Sequence, residues 1–488
     1  MAEQQKLNYK KTILIGFGFM ATSVVWGIYD PYITKILNAM LSDSAQIAHW
    51  SDALIARFPA LLDFMRAQGE NVENAGGGFT LVPLFIGLIM TFDNVFGVIF
   101  QPAFGKISDR THSRFGKRSP YIYIGAPISA VLFALIPWMF VRFDSLFAVM
   151  VCVILFVLVM SLWRAPVVAL MPDLTPPKLR SEGNAIINLC GGVGGLLGML
   201  SGTVILAVMK LLRADVSDET KIFPYVFLFG SFVMVVCTLI LFFFVKEPDS
   251  RLKVVAERNK AMDEHERHAA QKQAEKEEKK QLKSHKLSKA ERISLIFMLM
   301  GLFFLFCGTN AIQTFFALFA DEILHKSTSQ ATFMMAVFAI CSMLTAIPAG
   351  KLGKRFGRKK TILLGLVLFM SVFVLYLLTK QMTLVWVALI VGGAANMLIT
   401  VNTLPLVLEI GGIDKVGTFT GYYYTATFSA QIAAPILFGM VRMFSGTYMS
   451  LFVFSPVAFV LSLLCISMVR HGEAVPDHLV KEAQMADD

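Results

Sequence analysis

Two ionisable side chains stand where charge is most expensive. Asp93 falls inside a long apolar run, and Arg164 falls inside another. Counted from the side on which both runs emerge, at about 1.5 Å per residue, they lie roughly 15 Å and 10 Å deep. Opposite charges at comparable depth are expected to pair or to face a cavity, because either alone is costly in hydrocarbon. Two readings stay open: a structural ion pair, or a proton or cation site in which the protonation of Asp93 follows its distance from Arg164. Asp30, followed by Pro31 towards the opposite end of the first apolar run, is a second titrating group, a hydroxyl acceptor or an interfacial acid. None of the eight histidines lies in an apolar run, which excludes a buried imidazole relay.

The second half of the chain offers neutral polarity instead. Asn310, Gln313, Asn396, Asn402 and Gln431 lie within apolar runs, and Tyr422, Tyr423 and Tyr424 open one of them. With the aromatic faces of Trp26 and Tyr29, these amides and phenols suit a polyhydroxylated ligand, which needs many hydrogen bonds and a flat apolar surface. A single amide is more simply interhelical glue. The asymmetry carries the argument, charge in one half and neutral polarity in the other. No nucleophile–base set, metal-ligand cluster or phosphate loop is present, so the chain reads as no enzyme, with no cofactor and no metal. The six cysteines sit in apolar segments without ligand spacing and read as packing residues.

The elements that position these groups follow from composition. Of 488 residues, 56% are hydrophobic and only 16% charged, with mean hydropathy +0.64. This describes an all-α polytopic membrane protein. The first six spans are expected near Thr12–Tyr32, Phe79–Phe104, Tyr121–Phe140, Leu146–Leu170, Gly183–Val208 and Tyr225–Val245. Six more follow near Ile293–Phe319, Ala331–Ala349, Thr361–Leu378, Thr383–Leu408, Thr418–Val441 and Met449–Val469. The chain thus divides into a six-helix half over 1–245, a charged linker over 246–292, a second six-helix half over 293–470 and a polar tail over 471–488. On this topology about 33 of the 44 Lys and Arg lie on the side carrying both termini, which marks that side as cytoplasmic. The net charge of +10 is therefore topogenic and gives no sign of nucleic-acid binding. No cleavable signal is evident before the first span. Between the first two spans, Ile47–Met65 has helical apolar spacing and is expected as an amphipathic helix on the membrane surface, with Gly76-Gly-Gly78 as a flexible entry to the second span.

Two loops add a repeat. Gly105-Lys-Ile-Ser-Asp-Arg-Thr-His-Ser-Arg-Phe-Gly-Lys-Arg-Ser-Pro120 sets five cations around Asp109, and Gly350-Lys-Leu-Gly-Lys-Arg-Phe-Gly-Arg-Lys-Lys360 echoes it in the second half. Both resemble the signature loop of the major facilitator superfamily. The longer first version resembles the glycoside–pentoside–hexuronide:cation symporters and their sucrose-transporter relatives. The resemblance implies the major facilitator fold, twelve helices in two halves around a midplane site. It also implies gating roles for Gly105, Asp109, Arg110 and Arg114, with Gly105 permitting close helix approach and Asp109 acting as a latch. Asp173 and Glu409 occupy related positions at the ends of the fourth and tenth spans, and inner-gate contacts with loop cations are expected there. Melibiose-type permeases place an acid near Arg164-Ala-Pro166 and an Asp-Pro where this chain has Gln101-Pro102. Those two departures weaken a sodium site and favour protons.

The sequence thus points to a monomeric proton-coupled symporter of a sugar or glycoside, working by alternating access in the plasma or inner membrane. Asp93, Arg164 and Asp30 are its coupling candidates. Trp26, Tyr29, Asn310, Gln313, Asn402, Gln431 and Tyr423 are its substrate candidates. A transporter of a lysolipid or amphiphilic drug is the alternative, and a membrane sensor without transport is a third reading.

Overall fold

The computed structural model describes residues 7–58, 80–175, 179–213, 218–247, 289–411 and 416–470. Among them twelve helices are long and apolar enough to cross a membrane, and no strand occurs. Hydrocarbon offers no partner for backbone N–H and C=O groups, so each apolar run closes its own hydrogen bonds as a helix. In order, spans 1–6 are Tyr9–Ser42, Val82–Asp109, Ser119–Phe143, Leu146–Leu174, Arg180–Leu211 and Phe223–Phe244. Spans 7–12 are Lys289–Glu322, Thr328–Phe356, Arg358–Thr379, Met382–Gly411, Val416–Ser445 and Leu451–Ser467. Several starts are fixed by side-chain caps. Asn8 caps span 1, Ser145 caps span 4, and Ser327 with Gln330 forms a capping box at span 8.

Span 1 packs on spans 5 and 6, span 3 on spans 4 and 6, and span 2 on span 4. In the other half span 10 packs on spans 8 and 9, and span 7 on spans 11 and 12. Spans 1 and 5 meet through glycine. A Cβ on Gly27 would stand 2.6 Å from the Gly195 carbonyl oxygen, and one on Gly194 would stand 2.6 Å from that of Met20. Such contact is the usual source of helix adhesion where no hydrophobic drive exists.

Span 2 departs from the single helix expected. It consists of Val82–Ile89 and Phe92–Asp109, interrupted at Met90–Thr91. No proline or glycine marks the interruption in sequence. Span 11 helps hold it, because the Thr91 hydroxyl donates both to Gly87 O at 2.8 Å and to Ile432 O at 3.2 Å.

The halves touch at one end of the bundle. Lys35 pairs with Asp321, Tyr32 Oη lies 3.2 Å from Ser329 Oγ, and Thr203 donates to Ser329 O at 3.0 Å. Glu219 accepts from Ser329 N at 3.0 Å, and backbone meets backbone where Gly87 faces Pro435 and Gly439 faces Pro83. All of these lie opposite the end that carries the two basic loops. Span 11 packs mainly on the far part of span 2, Val82–Ile89, and little on its basic part, Phe92–Asp109. Nothing lies within 4 Å of where a Cβ on Gly105 or Gly421 would be.

In the outer segment the helix Ala45–Arg57 covers the first part of the expected Ile47–Met65, whose residues 59–65 lie outside the described residues. Leu54 and Ile55 pack on protein, while Trp50 and Phe58 are half-exposed. The Gly76–Gly78 hinge, most of the charged linker and the tail lie outside the described residues.

Candidate functional site

Where spans 1, 2, 4, 7 and 11 surround the bundle axis, they enclose a cavity of about 440 Å³. The first half contributes Trp26 and Asp30 from span 1, Asp93, Asn94 and Gln101 from span 2, and Arg164 from span 4. The second half contributes Asn310, Gln313 and Thr314 from span 7, and Phe428 and Gln431 from span 11. All three coupling candidates and four of the seven substrate candidates thus meet in one space.

Local sequence explains how each is aimed. Trp26 and Asp30 are four residues apart and share a helix face. Trp26 rests edge-on against Tyr29 at 5.2 Å, and Tyr29 against Phe156 at 5.7 Å, which fixes the indole from behind. Asp93 lies in the first turn of Phe92–Asp109, just past the interruption of span 2. A helix N-terminus inside the bilayer favours negative charge, so the interruption is a suitable seat for a carboxylate. Asn94 Nδ2 donates to Asp93 Oδ1 at 2.9 Å. Arg164 holds its guanidinium 5.6 Å from the Trp26 ring centroid, a cation–π arrangement. Among the described residues no carboxylate stands within 4.0 Å of it, so the close Asp93–Arg164 pair anticipated from matching depth is not formed here. Both charges line the cavity instead, where access to water makes them tolerable.

Three substrate candidates stand outside the cavity. Tyr29 is 1% exposed, packed in the aromatic cluster behind Trp26. Asn402 is 3% exposed and donates to Ala349 O at 3.2 Å, with its side chain against Gly353, so it joins spans 10 and 8. Tyr423 is buried, its hydroxyl 3.5 Å from Thr403 Oγ1. These are the interhelical roles open to any polar side chain in a bundle. Asn94, Gln101 and Thr314 were not among the site candidates. A signal for the first two existed: Asp93, Asn94, Gly97 and Gln101 recur at positions i, i+1, i+4 and i+8, a polar helical stripe.

The gating candidates gather at the basic end, each within its own half. Arg118, 7% exposed, pairs with Asp109 and, at 2.8 Å, with Asp173. Glu247, just past span 6, accepts from the backbone N–H groups of Lys117, Arg118 and Ser119 at 2.8, 2.9 and 3.0 Å. One cluster thus ties the ends of spans 2, 3, 4 and 6. In the second half Glu409 pairs with Arg358, and Lys359 Nζ donates to Ser467 O and Val469 O at 2.8 and 2.6 Å. Asp109 therefore keeps an ion pair while the basic end is open, and among the described residues that pair does not reach the second half. Arg110 is exposed, and Arg114 lies over its neighbour Phe115 at 4.7 Å. Gly105 makes no close helix approach in this conformation.

Removing Arg118 leaves two carboxylates facing each other, so Arg118→Ala is expected to cost about 1–3 kcal/mol, reduced by the partial exposure of both acids. Asp109→Asn should cost less, because Asp109 is 57% exposed and Asp173 remains paired. Thermal unfolding in detergent checks the order. Equal midpoints for both variants would contradict it.

A family model described as MFS/sugar transport protein matches residues 79–414. The chain belongs to that family. It is a transporter-family membrane protein, not an enzyme. The inward-open structure of the xylose transporter XylE from E. coli aligns at a TM-score of 0.59 and 16% identity, covering 95% of this chain and 96% of that one. A point mutant of the nucleoside transporter NupG aligns at 0.60 and 13% identity, over 94% and 100%. At these identities the likeness is one of fold. Among curated proteins, Multidrug resistance protein 2 of Bacillus subtilis (strain 168) is 26% identical over 187 residues, 38% of this chain and 46% of that protein. The match spans about half the length of that relative.

Proposed function

We propose that the chain is a proton-coupled symporter of a sugar or glycoside that works by alternating access, with its basic end in the cytoplasm. The observation that carries this reading is the composition of the cavity. Nine of the fourteen residues lining it are polar, with carboxylates and a guanidinium from the first half only and amides from both halves. Its volume is that of a small-molecule site. Amides that accept and donate at once suit hydroxyl-rich ligands, and Trp26 offers a ring face. Asp30 and Asp93 are the carboxylates available to carry a proton. A basic end facing the cytoplasm agrees with the bias of Lys and Arg, and closure at the far end then describes an inward-open carrier.

The name of the Bacillus relative favours a second reading, movement of amphiphilic drugs. The polar lining argues against it, since such ligands need apolar surface. Uptake of labelled glycosides into proteoliposomes separates the two. Saturable accumulation driven by an imposed proton gradient and abolished by a protonophore is expected. Drug movement without glycoside uptake would reverse the assignment.

Within this reading Trp26→Ala and Gln313→Ala are expected to raise the apparent KM about tenfold or more, each removing a ligand contact of about 1–3 kcal/mol. Asn402→Ala should instead lower the yield of folded protein and leave KM near wild type, since its partners are backbone. Unchanged KM in both cavity variants would leave the site without a substrate role.

A further inference from the structure

The helix Ala45–Arg57 lies across the seam that closes the far end. Met443, near the end of span 11, is 6% exposed and packs among Leu54 and Ile55 of this helix and Leu81 and Leu84 at the start of span 2. A residue of the second half is thus held in a socket made by the first. Two further contacts of the helix are with its own half. Trp50 packs on Phe85 with ring centroids 5.9 Å apart, and Leu81 N donates to Ser51 Oγ at 3.2 Å. About one and two helical turns deeper along span 11, the backbone contacts Gly439–Pro83 and Gly87–Pro435 close the bundle. The opposite face of the helix, with Gln46, His49 and Asp52, is exposed.

We propose that Ala45–Arg57 is a lid on the far gate, fixed to the first half, and that the gate opens only when Met443 leaves its socket. Spans 2 and 11 cannot part at Gly87 and Pro435 while Met443 stays between Leu54 and Leu84. The location gives the contact its strength. Apolar groups buried within hydrocarbon gain little from leaving lipid, but at the aqueous end of a bundle their separation exposes them to water. The lid therefore favours the conformation open at the basic end. Part of the apolar face expected from the sequence, Leu54 and Ile55, thus serves a contact between halves.

This rests on the alternating-access reading, and its main test needs no substrate. Thr203 lies in the far seam against Ser329. Thr203→Cys is labelled from the far side with an impermeant maleimide, with and without Leu54→Ala/Ile55→Ala. Emptying the socket is expected to speed labelling about fivefold or more, the usual lower range of a coupling between conformations. An unchanged rate would overturn the lid. The second test joins pairs with a short, reducible, impermeant bifunctional thiol reagent. Leu54→Cys/Met443→Cys, which ties the lid to the second half, should lose transport on cross-linking and regain it on reduction. Leu54→Cys/Leu84→Cys, which ties the lid to its own half, should keep it. Full transport by the first pair while cross-linked would also overturn the proposal.

Discussion

Asp93→Asn is expected to bring gradient-driven accumulation down to equilibrium while downhill exchange of the same substrate continues. The carboxylate sits at the start of the inner part of span 2, held by Asn94 at 2.9 Å and facing a cavity that also contains Arg164. Without a contact ion pair, its charge depends on how near the guanidinium comes and how much water enters. Water entry changes when the halves rock, whereas the guanidinium belongs to the same half and follows movement of span 2 against span 4. An amide imitates the protonated acid in shape and hydrogen bonding but cannot release a proton. Conformational cycling then survives and coupling does not. Arg164→Ala should do more harm than Arg164→Lys. The lysine keeps the charge but loses the planar stacking over Trp26, worth about 0.5–2 kcal/mol. The measurement is uphill uptake against a proton gradient beside counterflow in the same proteoliposomes. Full accumulation by Asp93→Asn would pass the coupling role to Asp30.

The second large effect is expected at Gly87. A side chain there would collide with the backbone carbonyl of Pro435, which no rotamer change can move aside. Gly87→Val must therefore drive spans 2 and 11 apart at the far end. Overpacking of this kind costs about 1–3 kcal/mol, enough to move the ratio of two conformations roughly five- to 150-fold. Transport should fall accordingly while the protein still folds, because the strain is relieved by the opposite conformation. Labelling of Gln101→Cys, which lines the cavity about two helical turns towards the basic end from Asp93, should slow from the basic side. An unchanged labelling rate would mean that this glycine contact does not set the conformational balance.

Gly105 differs from Gly87 in a way the sequence cannot express. Both are glycines of span 2, and the loop resemblance singled out Gly105. In this conformation Gly87 is the one in backbone contact, and Gly105 faces open space. Which of two small residues is pressed against a partner depends on how the halves are tilted, and tilt is a property of the whole bundle.

The amino-acid sequence by itself determined the twelve spans, because hydrocarbon forces an apolar run of sufficient length to satisfy its backbone as a helix. It also marked Asp30, Asp93 and Arg164, since few charges occur inside the spans and each needs water or a partner. Asn310, Gln313 and Gln431 were legible for the same reason, though less firmly, because an amide can be satisfied by a neighbouring carbonyl. That weakness appears at Asn402, whose partner Ala349 is invisible in any local pattern. Tyr29 and Tyr423 went the same way, their residue types fitting a cavity and their positions facing other helices. Tertiary structure alone decided the interruption of span 2, where Thr91 bonds to a carbonyl 341 residues away. It also decided the partner of the amphipathic helix, since periodicity shows that one face is apolar and not what will cover it. Pattern along a chain fixes which element forms and which face wants burial. The surface that meets that face is set by three-dimensional packing between segments far apart in sequence.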